Sequence, residues 1–124
     1  MKIAKTTLAE GVDVDGALFY RGEPGGPIDT KKEWWPQAEA VVGFLNAYQL
    51  SYQERFLAAV LRTWDFIDAR IIDHKHGEWF RSVTRDGRVL GHELRVGFWK
   101  WPCHNGRTGL EATRCLCENS IETK

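Results

Sequence analysis

Phe98-Trp99-Lys100-Trp101-Pro102-Cys103-His104-Asn105-Gly106-Arg107 brings two tryptophans, a lysine, a histidine and an arginine to the start of a helix. Asn105 is a favoured N-cap, and Gly106 to Glu118 reads as the helix that it opens. His104 then sits at the mouth of that helix, where unpaired backbone N–H groups and the positive end of the dipole gather. With Lys100 and Arg107 close by, such surroundings favour a neutral imidazole near neutral pH, the form that takes up a proton. The tryptophans offer flat apolar faces of the kind on which a sugar ring stacks. A plainer reading is a tryptophan-rich loop packed on a helix end. The convergence of polar, cationic and aromatic groups argues instead for a site.

Upstream, the pattern is helical with turns between. Residues 2–10 read as the tail of a helix stopped by Gly11, so the chain looks cut at its start. Asp13 to Gly16 is turn chemistry, and Ala17-Leu18-Phe19-Tyr20 a short strand. The Gly and Pro density from Gly22 to Asp29 predicts an irregular surface loop. A helix starting near Glu33 leaves Pro36 in its first turn. Ala38, Val41, Val42, Leu45 and Tyr48 then keep helical spacing to about Gln49. Ser51-x-x-Glu54 reads as a capping box for a further helix from Tyr52, with Leu57, Val60, Leu61, Trp64, Ile67 and Ile71 as its core stripe. The short link between the two folds them back antiparallel. Asp86-Gly87, flanked by Glu78 to Val83 and Arg88 to Val89, is a hairpin signal. Cys115 to Lys124 lose periodicity, and residues 119–124 read as a loose tail.

Three blocks in this order, Trp34-Trp35-Pro36-Gln37-Ala38-Glu39-Ala40, Gly77-Glu78-Trp79-Phe80 and Trp99-Lys100-x-Pro102-x-His104-Asn105-Gly106-Arg107, make the chain resemble the N-acylglucosamine 2-epimerase superfamily. The HNGR form is most similar to its cellobiose 2-epimerase branch. Trp101 and Cys103 depart from that branch, which usually shows Cys and Tyr there. The resemblance implies an all-α fold, an (α/α)6 barrel. Residues 1–124 would be its C-terminal third, about four helices with short hairpins at one end. It also implies that the N-terminal barrel helices, which this chain does not contain, are needed for activity.

Sugar 2-epimerisation removes the proton from C2, beside the C1 aldehyde of the opened ring, and returns it to the other face. That needs groups exchanging protons near neutral pH and donors for the enediolate oxygen. The resemblance assigns His104 as acid/base, one member of a histidine pair whose partner lies upstream. It suggests Trp35 and Trp99 as ring-stacking walls, with Trp34 as a neighbour. Trp35 and Glu39, four apart, share one helix face. Glu39 is read as a contact to sugar hydroxyls, or else as the partner of an arginine, and Arg107 as a structural anchor. His74, His76 and His92 match no block and read as loop residues. The substrate expected is a mono- or disaccharide, a β-1,4-linked disaccharide with reducing-end glucose before mannose or an N-acylated sugar. The other reading that stands is a non-catalytic sugar-binding or subunit-interface module.

The 124 residues carry 17 basic and 17 acidic side chains with no basic block, which gives no reason to expect nucleic acid or an anionic membrane as partner. No apolar run approaches the roughly 20 residues that cross a bilayer. Met1 to Lys5 does not lead into a signal-peptide core, and three cysteines make no disulfide frame, so a cytoplasmic protein is expected. Cys103, His104, Cys115 and Cys117 are the rival chemistry, as zinc ligands. Two cysteines at i, i+2 of a helix point to different sides, so no metal and no cofactor are expected.

Overall fold

One helix, apolar on almost every side, holds the rest of the chain in the computed structural model, which describes residues 1–122. This helix, α2 (Trp34–Ser51), buries ten of its residues, among them Trp34, Ala38, Val41, Phe44 and Ala47. An apolar surface that wide has to be covered from several directions. Glu33 caps it in extended geometry, and Pro36 falls in the first turn, where its missing N–H costs nothing. Only the line Trp35, Gly43, Asn46 and Leu50, with Glu39 half-buried on it, stays open. It floors an apolar groove of about 490 Å³.

Before α2 come α1 (Lys2–Thr6), continued by a π turn over Thr7–Gly11, and a hairpin of β1 (Arg21–Glu23) with β2 (Gly26–Asp29). The hairpin corrects the expected loop. Glu23 pairs with Gly26, so Pro24-Gly25 is a two-residue turn, with Gly25 at φ +116°. Proline excludes a central strand but not an exposed edge such as this one. The expected strand at Ala17–Tyr20 reduces to a single bridge between Val12 and Leu18.

A short strand β3 (Lys32–Glu33) leads into α2 and pairs antiparallel with β4 (Ser82–Val83). Asp13 ties these segments together. Its Oδ2 accepts from Lys32 Nζ and Arg85 Nε, at 2.9 and 2.8 Å, and Lys32 is wholly buried. The turn from Thr84 to Arg88 closes as expected, with Gly87 at φ +82°.

Helix α3 (Glu54–Phe66), continued by a π turn over Ile67–Ile71, packs antiparallel on α2. One prediction fails here and another holds only in part. Ser51 is not a cap: its Oγ donates back to Ala47 O within α2, Tyr52 turns left-handed at φ 52°, and Gln53 precedes the new helix. The buried face is Phe56, Ala59, Thr63, Phe66 and Ile67, whereas Leu61 and Trp64 are 57% and 41% exposed. Of the expected stripe, Ile67 and Ile71 are buried and Val60 packs against the core, while Leu61 and Trp64 turn outward.

Helix α4 (Cys103–Glu122) crosses α2, where buried Thr108 donates to Ala38 O at 3.0 Å and buried Cys115 lies 3.9 Å from Asn46 Oδ1. It starts before Asn105, which is therefore not its N-cap: Gly106 N–H already closes a turn on Pro102 O. Helix α4 runs on through the first part of the segment expected to be loose, and residues 123 and 124 lie outside the described ones. Among the described residues no helix is long and apolar enough to cross a membrane.

Candidate active site

The first turn of α4 brings His104 onto the N-terminal end of α2. His104 Nδ1 is 2.8 Å from Glu39 Oε1, and Arg107 Nη1 donates to the same oxygen at 3.2 Å. Thr108 fixes the spacing, because its hydroxyl bonds both Ala38 O on α2 and His104 O on α4. A carboxylate at Nδ1 selects the tautomer with the proton on that nitrogen and leaves the Nε2 lone pair outward. Glu39 Oε2 makes no bond among the described residues and stays available to a ligand hydroxyl.

His104 borders a cleft of about 470 Å³ together with Trp34, Trp35, Trp99, Tyr20, Glu33 and Arg81. The ring of Trp35 is tilted toward the imidazole at 6.0 Å and is 38% exposed. Trp99 is 76% exposed and is braced edge-on by Phe98 at 4.9 Å. Trp34, the expected neighbour of the two walls, is 3% exposed and meets His104 edge-on at 6.3 Å, so it lies beneath them as the floor.

Lys100 also differs from its expected place. It is not exposed beside His104 but buried, with Nζ 3.4 Å from Glu78 Oε1 and 5.4 Å from the Trp34 ring centre. Burial pushes its ammonium below the ordinary lysine value, against the pull of Glu78. The same Glu78 oxygen accepts from Asn105 Nδ2 at 3.1 Å, which is what occupies the expected cap side chain. Glu78 thus ties the loop carrying Trp99 to the start of α4.

Reading the residues one by one missed Glu78, Arg81, Glu33 and Tyr20. Glu78 sat in a quoted block without a role, and only its neighbours in space supply one. His74 and His76 pair with Asp68 and Asp73 in an exposed turn away from the cleft. Cys103 and Cys117 are exposed and Cys115 is buried, and among the described residues no three His, Cys, Asp or Glu side chains converge on a common point.

Residues 1–101 match the family model described as N-acylglucosamine 2-epimerase (GlcNAc 2-epimerase), a stretch that ends just before His104. The chain is 39% identical over 111 residues to the cellobiose 2-epimerase of Bacteroides fragilis, covering 89% of this chain and 28% of that one. It is 46% identical over 98 residues to the cellobiose 2-epimerase of Ruminococcus albus, covering 78% and 25%. The solved cellobiose 2-epimerase of Spirochaeta thermophila superposes with a TM-score of 0.80 at 37% identity, covering 94% of this chain and 28% of that one. The chain therefore spans little more than a quarter of the length of the relatives it matches.

Proposed function

This chain belongs to the N-acylglucosamine 2-epimerase family, and from that membership we propose that it is the C-terminal segment of a sugar 2-epimerase built as an (α/α)6 barrel. The reaction is the interconversion of glucose and mannose at the reducing end of a saccharide, with a cellobiose-type disaccharide as substrate. The observation that carries the proposal is the Glu39–His104 pair at 2.8 Å on the edge of an aromatic cleft. Glu39 orients the ring and His104 Nε2 takes the C2 proton on one face. Trp35 and Trp99 hold the sugar, while Arg107 anchors Glu39. A second histidine, on the barrel part this chain lacks, serves the opposite face. The segment alone is inactive for that reason. Its exposed Leu61, Trp64 and Leu110 are where absent helices would pack.

The test uses residues 1–124 joined to the N-terminal part of the Ruminococcus albus relative. His104→Ala should abolish solvent deuterium incorporation at C2, while sugar affinity changes only a few-fold, because proton transfer is needed only in the transition state. Substantial exchange surviving in the variant removes His104 from this role. The exposure of Phe98, Trp99 and Trp101, 82%, 76% and 63%, favours one other reading, a non-catalytic sugar-binding or subunit-interface arm. That reading predicts unchanged sugar affinity and no exchange in any context.

A further inference from the structure

The cleft beside His104 contains a cation with no ion-pair partner among the described residues. Each carboxylate around it is already paired with another group, although Glu39 Oε2 stays open. Glu39 Oε1 is shared by His104 and Arg107, Glu78 Oε1 by Lys100 and Asn105, and Glu33 is paired with Lys31 at 2.9 Å. Arg81, just before β4, lines the same cleft. Among the described residues it has no ion-pair partner, and its Nε is buried without a hydrogen bond. Its Cζ lies 6.0 Å from the Trp34 ring centre, and Lys100 Nζ lies 5.4 Å from the same ring. Trp34 Nε1 is a second buried donor without a partner.

A guanidinium keeps its charge at any working pH. Set against the same indole as a buried lysine and ion-paired with no carboxylate among the described residues, it makes one end of the cleft a positive pole. Such a pole is costly in the free protein and becomes favourable when a ligand brings negative charge to it. The proposed reaction generates such a charge beside His104.

We propose that Arg81 is the oxyanion contact of this cleft, its guanidinium taking O1 of the opened sugar as C2 is deprotonated. The inference rests on the sugar-epimerase reading given above. In that step the C2–H bond breaks and its proton passes to His104 Nε2. The freed pair forms the C1=C2 bond, and the carbonyl pair comes to rest on O1, against Arg81. On reprotonation the C1=C2 pair takes a proton at C2 and the O1 pair reforms the C1 carbonyl, which discharges O1. A fixed donor placed for the charge in the transition state needs no rearrangement at that moment.

The experiment compares two stable analogues by isothermal titration calorimetry. Cellobionate carries a carboxylate at C1, where the oxyanion forms, and cellobiitol has the same skeleton without charge. Residues 1–124 are used directly if they give a dispersed amide spectrum, and otherwise joined to the N-terminal part of the Ruminococcus albus relative. Cellobionate should bind about 10- to 100-fold more tightly than cellobiitol, Arg81→Gln should bring the two to parity, and Arg81→Lys should retain part of the preference. Equal affinity of both analogues for the unaltered protein, or a preference that survives Arg81→Gln, overturns the role of Arg81 and leaves the sugar cleft standing. Binding of neither analogue to folded protein overturns both.

Discussion

Replacing Glu39 by Gln isolates what the carboxylate does for His104. The amide keeps an oxygen at the 2.8 Å position, so the Nδ1–H bond and the ring orientation survive while the negative charge is lost. As the ring accepts the C2 proton it becomes cationic, and the carboxylate then faces a full positive charge. Two unit charges 2.8 Å apart interact by about 3 kcal/mol at an effective dielectric of ~40. That dielectric lies between water and a near-surface site, since the two side chains are 37% and 31% exposed. Arg107, 3.2 Å from the same oxygen, already answers part of the charge and trims the figure to about 2 kcal/mol. This corresponds to a fall in kcat of about 30-fold, with KM within about twofold, because the charge is needed only in the transition state. Glu39→Ala, which also frees the ring to rotate, should fall further. The assay is solvent deuterium incorporation at C2 under saturating cellobiose, in the joined protein described above. A Gln variant with kcat within twofold of the parent would refute the electrostatic role and leave Glu39 at most a spacer.

Trp99→Ala should raise KM about tenfold and lower kcat less, since stacking holds reactant and transition state alike; an unchanged KM with collapsed kcat contradicts the stacking role. The Arg85 guanidinium, helped by Lys32 and opposed by burial, holds the Asp13 carboxyl well below the usual carboxylate range. Asp13 therefore stabilises the fold above about pH 4 and ceases to do so as the pH falls toward its native value. The urea midpoint of Asp13→Asn should lie well below that of the parent at pH 7 and approach it near pH 2. A gap independent of pH contradicts the linkage. Gly16 has φ +88°, and a Cβ there would stand 2.8 Å from Arg62 Cβ. Gly16→Ala should thus cost about 1–3 kcal/mol in chemical denaturation, and a loss below about 0.5 kcal/mol would show that α3 yields at Arg62.

What could be read from the residues alone depended on how local its cause was. Pro36 in a first turn, Gly87 at a hairpin and the apolar run of α2 are decided within a few neighbours, and they stand as expected. The orientation of α3 is not local. Leu57, Leu61 and Trp64 offer more apolar surface than Ala59 and Thr63, yet Ala59 and Thr63 are the ones buried, together with Phe56 and Phe66. Leu61 and Trp64 face away, toward surface that the described chain leaves uncovered. The site divided in the same way. His104, Trp99 and Trp35 stood out by chemistry and spacing. The roles of Glu78 and Arg81 follow from which charges are already answered, a balance that exists only once residues 33, 39, 78, 81 and 100 are neighbours in space.

The ties of Asp13 also set a timetable for synthesis. Lys32 follows Asp13 by 19 residues and Arg85 by 72. At a ribosomal rate of about 5–20 residues per second, the first partner emerges within roughly 1–4 s and the second only after roughly 4–14 s. For most of that interval β3 has no β4 beside it, and Trp34 lacks the backbone carbonyl of Arg81 that its N–H binds in the finished protein. A nascent chain in this state presents an open strand edge next to an uncovered indole, the kind of surface that chaperones hold. Slowing translation between codons 33 and 82 should therefore lower the yield of folded protein while leaving the stability of what does fold unchanged.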